Sequence, residues 1–193
     1  MFRAPFLRKV LLMQTTFASG RIGIRRYRAE DVDALFAATR ESVRELSVWL
    51  PWCSANYSPA DSGAFVQSRD AEWDKGDHYS HAIHDLETGM FLGGVGLNFI
   101  NHPHRFANLG YWVRTSQTGR GVATAAVRLA ARFGLRELGF HRLEIVTAAG
   151  NLASQRVAEK VGAHREGVLR KRLLIHEQTH DAVLFSLVAE DLA

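Results

Sequence analysis

"RTSQTGRGVATAAVRLAARFGLREL", Arg114 to Leu138, places Gly119-Arg120-Gly121 directly before a long run of alanine, arginine and leucine. In that run Val122, Ala126, Leu129 and Phe133 recur at spacings of four, three and four, which makes one apolar helical stripe suited to packing on a sheet. The helix therefore starts at the glycines. Its first backbone N–H groups have no partner inside the helix, and the helix dipole adds partial positive charge there, so a strand feeding this loop would aim donors at a phosphate. Glycine at 119 and 121 lets oxygen atoms approach the main chain and permits unusual dihedrals, while Arg114 and Arg120 can neutralise further charge. An ordinary strand-to-helix turn would use the same glycines, so the order of the surrounding elements decides.

Upstream, Ile22, Ile24 and Tyr27 suggest a strand, Glu30-Asp31 opens a helix carrying Val32, Leu35 and Phe36, and a second helical stretch ends before "VWLPWC", where Pro51 pushes Leu50 out of helical geometry. Ser58-Pro59 reads as an N-cap with proline in the first turn of a helix running to about Trp73. Then "HYSHAIHD", "MFLGGVGLNFI" and "RFANLGYWVR", separated by short turns at 87–89 and around His102-Pro103, imply an antiparallel meander. Beyond the long helix come the strand "RLEIVTA", a helix from about Leu152 to Val161, and the strands "HREGVLRKRLLI" and "HDAVLFSLVAE". The order predicts a mixed α/β sheet whose meander joins a strand–helix–strand part near Val113 to Thr147. "GGVGLN", Gly93 to Asn98, lies inside a strand and marks a bulge, not a dinucleotide fingerprint; no G-x-x-x-x-G-K-[ST] is present.

The 193 residues, 47% hydrophobic and 23% charged, fit one globular domain at 21–193, with residues 1–20 an N-terminal extension and Met13 an alternative start. One cysteine, Cys53, fits a reducing compartment such as the cytoplasm. The apolar run at 10–13 is too short for a signal peptide, and no segment approaches a membrane span. The net charge of +4 is too mild to imply nucleic acid. Between Pro103 and Arg172, however, thirteen lysines and arginines stand against four acids, which favours an anionic ligand in the C-terminal half.

With strands before it, "TGRGVA", Thr118 to Ala123, resembles the pyrophosphate-binding motif Q/R-x-x-G-x-G/A of the GNAT superfamily of acyl-CoA N-acyltransferases. Gly121 and Ala123 match its last positions, and Thr118 stands where Gln or Arg is usual. "VWLPW", "LGYWVR", "GRGVATAAV" and "NLASQRVAEKVGAHREGVLR" resemble, in order, segments of the ribosomal-protein N-terminal acetyltransferase branch, over about Ile22 to Val188. The resemblance implies a mostly antiparallel twisted sheet of about seven strands with flanking helices, and acetyl-CoA as cosubstrate at a splay between central strands, with no metal. It implies contacts to the cosubstrate from Trp112, Val113, Arg114, from Thr118 through Thr124 (Gly119, Arg120, Gly121, Val122 and Ala123 between), and from Asn151 and Ser154. Asn151 would hydrogen-bond the pantetheine arm. The tyrosine that many members use to protonate the departing thiolate is replaced by Ala158, and the catalytic position passes to Ser154, facing the sulfur.

The implied chemistry is direct transfer: the amine attacks the thioester carbonyl, a backbone N–H on the strand ending at Val113 polarises the oxygen, and thiolate leaves near Ser154. The glutamate that some branch members use as base falls on Leu173; Glu45, His78 and His81 are the remaining candidates. An α-amine with a pKa of roughly 7.7–8 needs less help than lysine at ~10.4, which tilts the acceptor toward protein N-termini. Trp49 and Trp52 would shape the acceptor pocket. A small amine such as an antibiotic or polyamine is the alternative acceptor, with an acidic pocket as its mark, and an idle acyl-CoA-binding protein is the alternative of another class. The resemblance implies no membrane or direct nucleic-acid partner and allows a homodimer. "HEQTH", His176 to His180, fits H-E-x-x-H, but its flanks alternate like strands, so it reads as a hairpin turn and not a zinc-binding helix.

Overall fold

A computed structural model describes residues 16–192. The meander forms as its turns dictate. Strands β1 (Thr16–Ser19), β2 (Ile22–Arg26), β3 (Tyr79–Asp85), β4 (Phe91–Asn101) and β5 (Phe106–Val113) pair antiparallel in sequence order. Helices α1 (Val32–Leu46) and α2 (Pro59–Lys75) form the excursion between β2 and β3. Ser58 caps α2 through a reciprocal box with Asp61, and Gly76 ends it in the left-handed region. The two helical stretches expected before Pro51 are one continuous helix, α1, because nothing between Val32 and Leu46 breaks it.

Helix α3 (Val122–Arg132) continues through a wider turn at Phe133–Glu137, and its stripe of Val122, Ala126, Leu129 and Phe133 is buried. It carries the chain to β6 (Arg142–Ala148), which pairs parallel with β5 as a crossover connection requires. Helix α4 (Leu152–Lys160) then leads to the hairpin of β7 (His164–Ile175) and β8 (Gln178–Leu187). Strand β8 inserts antiparallel between β6 and β7, giving the order β1-β2-β3-β4-β5-β6-β8-β7.

The sheet thus has eight strands against the expected seven or so. The additional one, Thr16–Ser19, falls at the end of the segment read as an extension; the rest of that segment, with Met13, lies outside the described residues. Two separate clusters pack the sheet. Leu109, Ala126, Leu129, Phe133 and Ala158 gather with α3 and α4, while Tyr27, Leu35, Ala38, Val66 and Phe91 gather with α1 and α2. His176 and Glu177 form the β7–β8 turn with φ of 48° and 63°, the two-residue hairpin geometry in which both central residues are left-handed, so "HEQTH" is not helical.

Candidate active site

Strand β5 pairs with β6 only over Phe106–Asn108, opposite Arg142–Glu144, and beyond that point the two strands have no shared register. The N–H of Arg114 bonds Leu92 O across to β4, so strand alternation turns the N–H groups of Tyr111 and Val113 toward the open β6 side. This is the splay that the resemblance implied, with unused backbone donors along one wall.

The splay leads to the start of α3. Thr118 N–H bonds Thr115 O, and the next paired donor is Ala125 N–H on Gly121 O. Among the described residues the intervening N–H groups, from Gly119 to Thr124, have no partner, and the helix carries no side-chain cap. Gly119 and Gly121 have φ of 74° and 80°, the left-handed region that turns successive N–H groups into one concavity. An added Cβ at either would meet nothing within 4 Å, so the cradle is open. A diphosphate is the group that fits such a row of donors. Arg120 is exposed beside it. Arg114 is committed elsewhere: its guanidinium pairs with Glu41 on α1 (Nε to Oε2 3.0 Å) and donates to Phe91 O at 3.2 Å. The guanidinium holds the Glu41 carboxyl down at about 2, and Glu41 also accepts from Ser116 N–H at 2.8 Å. The arginine expected on phosphate is thus the clamp between the loop and α1.

Across the splay, Asn151 caps α4: its Oδ1 accepts Ser154 N–H at 3.1 Å, which leaves its amide NH2 to donate. Ser154 is relieved of capping, and its Oγ lies 2.9 Å from the hydroxyl of Tyr111 on β5. Ala158 is fully buried where many members carry tyrosine. Val113 packs its side chain on the α3 cluster and Trp112 turns to the other face.

That other face holds a cavity of about 770 Å³. Its walls include Tyr27, Phe65, Trp52, Tyr57 and Trp112, and it reaches β5 at Gly110–Trp112. The glycines of "GGVGLN" open its floor: a Cβ on Gly94 would stand 2.6 Å from Tyr27 Oη and 2.8 Å from Trp112 Nε1. Register shifts bracket this segment, after His84–Phe91 on one side and Asn98 on the other. Trp52 lines the cavity; Trp49 does not, and lies instead over Gly150, next to Asn151. Asp61 is the one lining carboxylate among the described residues, and its Oδ2 already accepts from Ser58 N and Oγ at 2.8 and 2.7 Å.

The three candidate bases separate clearly. Glu45 bonds Thr115 Oγ1 at 3.1 Å outside the cavity. His81 is buried among Trp73, Phe17 and Phe133, with burial, aided by Arg26, pushing its pKa down to about 3. His78 alone of them lines the cavity; burial and then the Arg69 guanidinium lower its pKa, so the ring is neutral.

The Acetyltransferase (GNAT) domain family matches residues 21–164. The chain belongs to the GNAT acetyltransferase family. Relatives agree with this GNAT reading. It is 26% identical, over 93% of its length and 97% of theirs, to Bacillus subtilis YdaF, provisionally named a ribosomal N-acetyltransferase. It is 28% identical to the spermidine N(1)-acetyltransferase of Escherichia coli K12, over 62% of this chain and 68% of that one. Among solved structures, Mycobacterium smegmatis RimJ in complex with CoA-disulfide superposes with a TM-score of 0.80 at 26% identity, covering 89% of this chain and 83% of RimJ. This GNAT protein is therefore an acetyl-CoA-dependent N-acetyltransferase, and the open N–H row and the splay are the features of its own structure that fit the cosubstrate.

Sequence reading missed Tyr111 and the glycine floor. The first is invisible because its partner is forty-three residues away. For the second, the spacing of Gly94 and Gly96 on one strand face was the available signal.

Proposed function

We propose that the protein transfers acetyl to the N-terminal α-amine of a protein, a ribosomal protein being the acceptor type that relatives name. The observation that carries this reading is the cavity on β5 with its one carboxylate already engaged. A polyamine would bring several ammonium groups into walls that offer them no free counter-charge, whereas a terminal amine brings one group that is partly neutral at pH 7.

Acetyl-CoA supplies an activated thioester. The N–H row from Gly119 to Thr124 would hold its diphosphate, Asn151 NH2 would donate to the pantetheine arm, and the N–H of Tyr111 or Val113 would polarise the carbonyl oxygen. Trp52, Tyr57 and Trp112 would exclude water around the acceptor. His78 would orient it: Arg69 Nη1, which can only donate, lies 3.1 Å from Nδ1, so the neutral ring carries its hydrogen on Nε2. The amine nitrogen forms its bond to carbon as the carbon–sulfur bond breaks, sulfur departs as thiolate toward Ser154 Oγ, and the nitrogen's proton passes to water. The nucleophile then depends on its own pKa, which again suits an α-amine.

A small amine acceptor is the second reading, favoured by the enclosed aromatic walls. Calorimetry with acetyl-CoA under metal-free conditions comes first. Turnover is then compared on a peptide with a free α-amine, the same peptide N-blocked but carrying lysine, and spermidine. Activity on the first alone supports the proposal; activity on spermidine alone overturns it.

A further inference from the structure

The hydroxyl of Tyr111 stands 2.9 Å from Ser154 Oγ and 3.0 Å from Ser154 O, reaching from the unpaired side of β5 to the first turn of α4. Among the described residues, Ser154 Oγ has no other hydrogen-bond partner. The nearby carbonyls that a helix serine would otherwise take are in use: Gly150 O accepts Leu152 N–H and Asn151 O accepts Gln155 N–H. A serine hydroxyl has one hydrogen to give. Where that hydrogen points depends on which way the Tyr111–Ser154 bond runs.

We propose that Tyr111 is a positioning residue: its phenol donates to Ser154 Oγ, so the serine's own hydrogen is aimed into the splay at the departing sulfur. This rests on the reading of Ser154 given above and adds a second hydroxyl behind it. The phenol suits a fixed donor. Burial pushes its pKa up to about 12, so it keeps its hydrogen throughout the working pH range. No proton leaves Tyr111 in the reaction; it polarises Ser154, whose hydrogen bond to thiolate is charge-assisted and therefore strengthens as negative charge develops. The chain thereby meets the loss of tyrosine at Ala158 with a phenol from another element.

The test is the ionisation of the thiol in bound CoA, followed by ultraviolet thiolate absorbance against pH, in the wild type, Tyr111→Phe, Ser154→Ala and the double variant. Phenylalanine keeps the ring, and equal affinity of all four proteins for S-methyl-CoA, which cannot ionise, reports intact binding. In Tyr111→Phe the bound thiol should ionise about tenfold less readily than in the wild type, with kcat lower by a similar factor and KM for acetyl-CoA unchanged. The double variant should match Ser154→Ala, because Tyr111 acts through the serine. A midpoint unmoved in Tyr111→Phe, additive effects in the double variant, or a parallel loss of S-methyl-CoA binding would each make Tyr111 a packing residue. If the wild type binds no CoA, the functional reading falls and takes this one with it; CoA binding with an unmoved midpoint removes this one alone.

Discussion

The two faces of β5 are constructed by different means. On the α3–α4 face the site is made of backbone donors from one short loop, with Asn151 and Ser154 from a second loop and helix start. On the α1–α2 face it is made of side chains: Tyr27 after β2, Trp52 and Tyr57 from the loop between helices, Phe65 from α2, His78 and Ser80 from the start of β3, and Trp112 from β5. The first construction needs only glycines at the right dihedrals, and it recognises a diphosphate, which any acyl donor of this class presents. The second depends on side-chain identity at scattered positions and can change acceptor without disturbing the first. Cosubstrate and acceptor sites should therefore fail separately.

The largest separate failure is expected at Ser154. Ser154→Ala should lower kcat by roughly 10–100-fold, the range lost when one donor to developing negative charge is removed, with acetyl-CoA affinity within about twofold of the wild type. Equal loss of affinity and kcat would show that the serine binds rather than assists. Next is Gly121→Val, which forces a β-branched residue to φ of 80° and closes the N–H row. Acetyl-CoA affinity by calorimetry should fall at least about tenfold, while acceptor KM at saturating acetyl-CoA stays unchanged.

Gly94→Val is the mirror of that experiment. Its side chain would collide with Tyr27 Oη and Trp112 Nε1, so acceptor KM should rise several-fold with calorimetric acetyl-CoA affinity intact. If both affinities move together in either variant, the two faces are one coupled unit. The smallest effect concerns the clamp that joins them. The Glu41 pKa is lowered from 4.5 to about 2, chiefly by Arg114, so the contact contributes stability above pH 4.5 that is lost as pH falls toward 2. Thermal unfolding from pH 6 to 3 should show a shallower pH dependence in Glu41→Gln than in the wild type, and identical slopes would remove the clamp's role.

Legibility followed the same division. The α3 stripe, the hairpin at His176-Glu177, the cap at Ser58 and the anion-binding start of α3 are governed by residues within a turn or two of one another, so spacing revealed them. Arg114 misled because charge near a phosphate loop looks like a ligand until Glu41, seventy-three residues earlier, is brought against it. Trp49 misled because proximity to Pro51 in sequence does not fix which side of the loop an indole faces.

The sequence by itself determined the order of the elements, the helix whose exposed N-terminus can hold a phosphate, and the serine that stands in for a missing tyrosine, since each depends on local dihedral preference and side-chain period. Only the tertiary structure decided the partner of Ser154, the occupation of Arg114, and the aromatic, glycine-floored cavity. Those are contacts between residues far apart in the chain, and their geometry exists only after strand register has set which side chains share a face.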